Sequence, residues 1–288
     1  MADTIGQIDI RGKNFERAVK GFANKLYKLS QVLLNESSNS EQENYYRETS
    51  TPLSAGGNRN VNQVARGALP PELHPEWTLV TTYHRKFMGQ ALIFFEDSLT
   101  NAINTQARAA FRVAESIVNA KDVYIYSQLT AATSTSGVVS AADDWDSVTV
   151  ANRDPMGDIL IGEGAMMANN YDILQNGFLL ITPHDYSSLL RNDKIINNPS
   201  FKTADVVSNG IVGQIAGLKI IVSVNVTQDE CMIVMGQRAA TWKGVVGLTS
   251  AVIEDQGVST KVRAWEMGHI QITDPLALYT ITGIDVTA

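Results

Sequence analysis

The residues with the types needed for chemistry are few in this 288-residue chain, and they are poorly spaced for it. His74, His84, His184 and His269 stand far apart, none with a partner at the i+4 or short-loop spacing that metal ligation favours. His184 and Asp185 adjoin and have the types of an acid–base pair. Both, however, fall in the first turn of a helix that Thr182 and Pro183 should cap, where Asp185 complements the helix dipole, so a structural role is favoured. Asp143, Asp144 and Asp146 surround Trp145 without the glycine and distal glutamate of a calcium loop, and read as a solvated turn. Cys231 lies at a short apolar strand with no basic neighbour to lower its pKa, which points to a buried thiol and not a nucleophile. Gly162, Glu163 and Gly164 sit within a helix and lack the third glycine and preceding strand of a dinucleotide fingerprint, so these glycines read as ordinary. Neither GxxxxGK[ST] nor GxSxG occurs. No catalytic, cofactor-binding or metal-ligating residue is assigned, and no enzyme is expected. Glu254 and Asp255 lie across a turn from Lys261 and Arg263, and such charges form weak surface pairs or reach a neighbouring copy.

Composition narrows the classes further. The chain is 44% hydrophobic, enough for one large or two smaller cores. Its net charge is −7 and its 23 basic residues form no cluster, which argues against a dedicated nucleic-acid binder. One cysteine excludes an intrachain disulfide framework. No apolar run approaches the ~20 residues of a membrane span, and MADTIGQIDI lacks the basic-then-apolar order of a signal peptide, so a cytoplasmic protein is expected.

The element that must position everything else is Leu99–Leu129, free of Pro and Gly, which reads as one long helix. Ile103, Ala107, Ala110, Phe111, Ala114, Ile117, Val118 and Ile125 should form its apolar stripe, with Asn104, Arg108, Arg112, Glu115 and Lys121 outward. Before it, residues 12–34 carry Phe15, Val19, Phe22, Leu26, Leu29 and Leu33 at steps of four and three. That is either a terminal helix on its own core or an arm laid on a neighbouring subunit. Residues 35–76 are polar and rich in Pro and Gly, unable to bury enough surface to fold alone. Trp77–Phe95 should be one long strand leading into the helix; a thin ribbon of this kind needs a partner surface.

After the helix, Thr130–Ala142 reads as a small-residue linker. Asp154-Pro155 opens a helix to about Asn170, Phe178–Ile181 is a strand, Thr182-Pro183 caps a second helix, and Leu218–Val224 is a buried strand. Strand, helix, strand makes a small α/β unit. Met232–Met235 is a short strand, GQRAATWKG brings the chain out, Thr249–Ala264 is a hairpin turning at Gln256-Gly257, and the all-β ending to Ile284 should pack under the long helix.

This order of parts resembles the major capsid proteins of tailed viruses, bacterial or archaeal, with the α+β Hong Kong 97 fold. The stretches that carry the likeness are NGFLLITPHDYSSLLRND, GQIAGLKIIVSVNV and AATWKG with TSAVIEDQGVSTKVRAWEMGHIQITDPLALY. The resemblance implies an N-terminal arm (1–35), an extended loop (36–98), a discontinuous peripheral domain (99–153 and 246–288) and an axial domain (154–245). It implies self-assembly into hexamers and pentamers of an icosahedral virion shell around double-stranded DNA, without sequence-specific binding and without a membrane. Candidate contacts between copies are Phe15, Phe22 and Leu26 of the arm, Arg59, Arg66 and Trp77 of the loop, and Glu254, Asp255, Lys261 and Arg263 of the hairpin. The chain lacks a long charged coiled coil ahead of the loop, so a separate scaffolding protein is expected besides portal and decoration proteins, with assembly in the host cytoplasm. An encapsulin-like shell around cargo enzymes is the alternative. An enzyme built on the α/β unit would instead require His184 or Asp185 to meet another titratable group in a deep pocket.

Overall fold

In the computed structural model, the long helix is α1 (Thr105–Thr133), whose backbone at about 1.5 Å per residue runs roughly 43 Å. The structure describes residues 19–21, 28–48, 66–69, 77–96, 105–133, 138–141, 143–192 and 211–285. The helix continues four residues past Leu129 because Leu129 and Ala132 still pack inward, and Thr133 Oγ1 donates back to the Thr130 carbonyl (2.8 Å). The expected linker is correspondingly shorter and contains β5 (Val138–Ser140).

Two sheets and a ribbon surround this helix. One four-stranded sheet has the order β1 (Leu34–Ser37), β10 (Ala240–Asp255), β11 (Ser259–Ile272), β4 (Arg85–Phe94). A six-stranded sheet runs β5, β12 (Leu278–Thr282), β9 (Glu230–Met235), β6 (Gly177–Ile181), β8 (Leu218–Val222), β7 (Ile211–Ile215). The ribbon is β2 (Gln42–Glu48) against β3 (Trp77–Tyr83), antiparallel from Gln42↔Tyr83 to Glu48↔Trp77. Among the described residues three shorter helices follow α1: α2 (Pro155–Ala168), α3 (Ile173–Asn176) and α4 (Pro183–Leu190).

The helix joins two cores. Its first half contributes Ala110, Val113, Ala114, Ile117 and Val118 to a small cluster with Ile93, Leu248, Val262 and Ala264. Its second half gives Ile125, Tyr126, Leu129 and Ala132 to the large core on the six-stranded sheet. Serving two partners displaces the stripe from the expected one: Ala107 and Phe111 are exposed, and Lys121, expected outward, is buried. Lys121 Nζ donates to Glu266 Oε1 at 2.6 Å and lies 4.2 Å from the centre of the Trp242 ring, so its charge is paired and its stem covers aromatic surface. Beside it, Asp122 accepts from the Lys28 amide (3.4 Å) ahead of the one-turn helix Leu29–Gln31. Residues 19–21 are helical, and Val19 packs in the small cluster, so the amino-terminal segment touches its own core there.

Several local expectations are corrected. Trp77–Phe95 is two strands broken at His84, because β3 pairs with β2 while β4 pairs with β11. The α/β unit is present, with α4 connecting parallel β6 and β8, but residues 211–215 add the hairpin strand β7. The segment expected to bring the chain out instead begins β10, its Ala240 and Trp242 buried. The hairpin turn falls at Gln256-Gly257, where Gly257 has φ +75°, but both strands are longer than expected. Leu278–Thr282 packs against the long helix as expected, but it pairs with β9 and so belongs to the six-stranded sheet and not to the hairpin's sheet. Gly162 is not an incidental glycine: a Cβ there would stand 2.7 Å from Ile233 Cδ1, which is how closely α2 lies on the sheet. Trp145 is fully buried and donates to Asp158 Oδ2 at 2.9 Å, so its loop is anchored.

Candidate functional site: an assembly surface

The ribbon has one face tied down and one face open. Alternation along β2 turns Tyr45 inward and Tyr46 outward. The Tyr45 hydroxyl accepts from the Ile272 amide (3.3 Å), Arg47 Nε donates to the Ile272 carbonyl (3.2 Å), and Gln271 Nε2 donates to Glu43 Oε2 (2.7 Å). All three contacts reach the end of β11. On the open face Tyr46 (65% exposed), Trp77 (61%), Leu79 and Tyr83 are bare. Tyr46 and Trp77, with ring centres 6.4 Å apart, line a 430 Å³ cavity with Arg238, Thr273 and Asp274.

A second open surface is the face of the four-stranded sheet opposite α1. Met88, Leu92 and Phe94 project there from edge strand β4, next to Trp265, Lys261 and Ser259 on β11, and Ile253 continues the row on β10. Exposed large apolar side chains on a ribbon and a neighbouring sheet face are the pattern of surfaces covered by another chain.

Of the residues expected to contact other copies, Trp77 lies on the open ribbon face, Arg66 is exposed, and Phe15, Phe22, Leu26 and Arg59 lie outside the described residues. At the hairpin tip Glu254 and Asp255 are exposed as expected. Their basic counterparts are partly engaged within the subunit: Lys261 lies 3.6 Å from Asp255, and Arg263 donates twice to Gln90 Oε1 (3.0 and 2.7 Å) because Gln90 is its register partner on β4. Sequence reading missed Tyr46, Leu79, Tyr83, Met88, Leu92 and Phe94. The period-two alternation of β3 and β4 was the available signal, but which face the core takes was not.

Folding also brings titratable groups together. His84 and His269, 185 positions apart, meet with Nδ1 atoms 3.0 Å apart. The register Arg85↔Gly268 between β4 and β11 makes neighbours of two histidines that stand far apart in the sequence. Burial, then the adjoining His84, pushes the pKa of His269 down to about 4. His184 Nδ1 stands 3.2 Å from Asp285 Oδ2 and 3.6 Å from Asp185 Oδ1, and Asp146, His184 and Asp285 offer ligand atoms within 4.8 Å of one another, a spacing a metal ion would fit. His184 is 54% exposed at the side chain. The 430 Å³ cavity is lined by neither His184 nor Asp185. Asp185 has the capping role expected of it: Thr182 Oγ1 accepts from its amide (3.1 Å) and donates to its carboxylate (2.6 Å). Burial raises its pKa, opposed chiefly by that hydroxyl. Cys231 is fully buried in β9, and burial with nearby Asp185, Asp158 and Glu230 pushes its thiol well above the usual range. Such a thiol is not a nucleophile.

Residues 84–281 match the family model described as phage capsid protein. No curated protein matches the chain. Among solved structures it is similar to the capsid of the Cyanophage P-SCSP1u (TM-score 0.66, 12% identity, covering 91% of this chain and 89% of that one). It is similar to the capsid of a native GTA particle (0.65, 11%, 91% and 90%) and to the virus-like particle from Pyrococcus furiosus (0.63, 13%, 94% and 99%). At such identities the structures speak for the fold, which is the α+β Hong Kong 97 kind. The family match spans more than half of the chain, so the chain belongs to the phage capsid proteins and is a subunit of a capsid shell.

Proposed function

We propose that the subunit assembles with itself into hexamers and pentamers of an icosahedral virion head that encloses double-stranded DNA. The observation that carries this reading is the ribbon, whose outer face leaves Tyr46, Trp77, Leu79 and Tyr83 bare. A two-stranded ribbon is marginal alone, and identical neighbours on every side cover it at no cost in new sequence. In this reading residues 1–35 are the arm, 36–98 the extended loop, 99–153 with 246–288 the peripheral domain and 154–245 the axial domain. The pairing of β12 with β9 links the two domains through one sheet. The net charge of −7 without a basic cluster suits DNA that packs without sticking. Assembly proceeds in the host cytoplasm with a separate scaffolding protein and a portal, and decoration proteins can join the finished shell. The role is structural and not enzymatic.

Electron microscopy of the chain expressed alone and with its neighbouring genes tests the proposal. Closed angular particles or hexameric and pentameric rings are expected; a monomer or dimer under both conditions overturns it. An encapsulin-like shell around cargo enzymes, the alternative drawn from the sequence, differs in what the particle holds. The contents of purified particles, DNA or protein, separate the two.

A further inference from the structure

The root of the ribbon holds a polar cluster that the shell role does not by itself require. The chain leaves the four-stranded sheet after β1 and rejoins it at β4, and Ser38 and His84 stand at these two points. His84 Nε2 lies 3.4 Å from Ser38 Oγ, and its Nδ1 lies 3.0 Å from His269 Nδ1, the rings meeting edge to face with centres 4.4 Å apart. His269 is fully buried, and its Nε2 has no hydrogen-bond partner.

An Nδ1–Nδ1 contact at hydrogen-bond distance requires one nitrogen to donate and the other to accept. With both imidazoles protonated, no acceptor remains and two N–H groups face each other. The charged groups around the pair cannot absorb that. From β2 comes Glu43, which also accepts from Gln271 of β11. From β10 comes Lys243, itself ion-paired with Glu36 of β1. From the start of β4, Arg85 turns away to stack on Tyr124 of α1 at 4.6 Å. One carboxylate, Glu43, balances one imidazolium and not two.

We propose that the His84–His269 pair is an acid-sensitive latch at the root of the β2–β3 ribbon: beside the Glu43, Tyr45 and Arg47 contacts it fixes that root to β11, and double protonation breaks the Nδ1–Nδ1 contact and loosens the ribbon while both sheets stay folded. The direction follows from burial. A released, hydrated imidazole takes its proton near pH 6.5, whereas latched His269 resists until about pH 4. Protons therefore favour the released form through that window, shifting the balance by up to roughly 300-fold, and neutral pH restores the latch. Asp122 and Glu163 also take up protons on acidification, at about 6 and about 7. Burial favours their neutral forms in the fold, so they act in the opposite direction.

Hydrogen-exchange mass spectrometry of the unassembled full-length chain, corrected for intrinsic rates, tests the latch independently of whether shells form. Between about pH 7.5 and about pH 4.5, amides of Gln42–Glu48 and Trp77–Tyr83 should lose protection at least tenfold, reversibly, while β6, β8 and β9 keep theirs. His84→Gln, which cannot charge, should retain ribbon protection to the acid end, and His184→Gln should follow the wild type. A flat wild-type profile, loosening of the six-stranded sheet together with the ribbon, or unchanged acid release in His84→Gln overturns the proposal. Should His84→Gln fail to fold, imidazole titration by NMR of the wild type decides: His269 titrating near pH 6.5 with the ribbon still protected also overturns it.

Discussion

At the scale of single residues, burial decides what each polar group can do. Lys121 sits between α1 and β11, its ammonium 2.6 Å from Glu266. Lys121→Met removes the cation from a buried carboxylate and should destabilise the subunit by about 3–5 kcal/mol, with much of the loss recovered by adding Glu266→Leu. Urea unfolding of the two variants measures both. Glu163 on α2 is buried with Oε1 unpartnered, and burial raises its pKa to about 7. The raised value means that the fold favours the neutral acid. Its contribution is fully present below the unfolded value of about 4.5 and is lost as pH rises through about 7. Glu163→Gln should therefore be more stable than wild type at about pH 8, by roughly 3 kcal/mol, and similar to it at about pH 4. Denaturant midpoints at the two pH values check this. Gly268 is held to its side-chain-free state by a close approach, since a Cβ would lie 2.7 Å from the Lys243 carbonyl and 2.6 Å from the Trp242 ring. Gly268→Ala should cost about 1–3 kcal/mol, read as a lowered unfolding midpoint.

At the scale of elements, the open faces separate assembly from folding. Tyr46 and Trp77 contribute to the ribbon's bare side and little to either core. The double variant Tyr46→Ser/Trp77→Ser should change subunit stability by less than about 1 kcal/mol and sharply lower particle yield, measured by gel filtration against thermal unfolding. The hairpin tip behaves likewise. Asp255 pairs with Lys261 at 3.6 Å in solvent, a contact worth about 0–1 kcal/mol. Reversing Glu254 and Asp255 to Lys should therefore weaken assembly more than folding. A lowered melting temperature with unchanged particle yield would refute that.

At the scale of the molecule, the long helix and the sheet pairing make one body from segments distant in sequence. Helix α1 contributes to the small cluster through Ile117 and to the large core through Leu129, and β12 returns from the chain's end to pair with β9. Among the described residues the side chains of Glu43, Tyr45 and Arg47 tie the ribbon to this body, with His84 at its root. A rigid body with a lightly held ribbon lets neighbouring copies hold what the subunit alone holds weakly.

Local pattern was enough for what local physics controls. The spacing in 105–129 makes a helix, Thr182-Pro183 caps α4, Gln256-Gly257 turns the hairpin, and the order of parts was enough to draw the resemblance to the capsid proteins. Pairing across long separations was not legible. Nothing near His84 announces His269, and nothing near His184 announces Asp285, because a one-residue change of register would turn each side chain to the other face. The amino-acid sequence by itself determined the long helix, the cap of α4, the hairpin turn, the buried thiol at Cys231 and the exposed charges at Glu254 and Asp255. Only the tertiary structure decided that Lys121 is buried, that Phe111 is exposed and that two imidazoles share the ribbon's root, since a helix serving two cores and a strand register are properties of the whole packing and not of any window of residues.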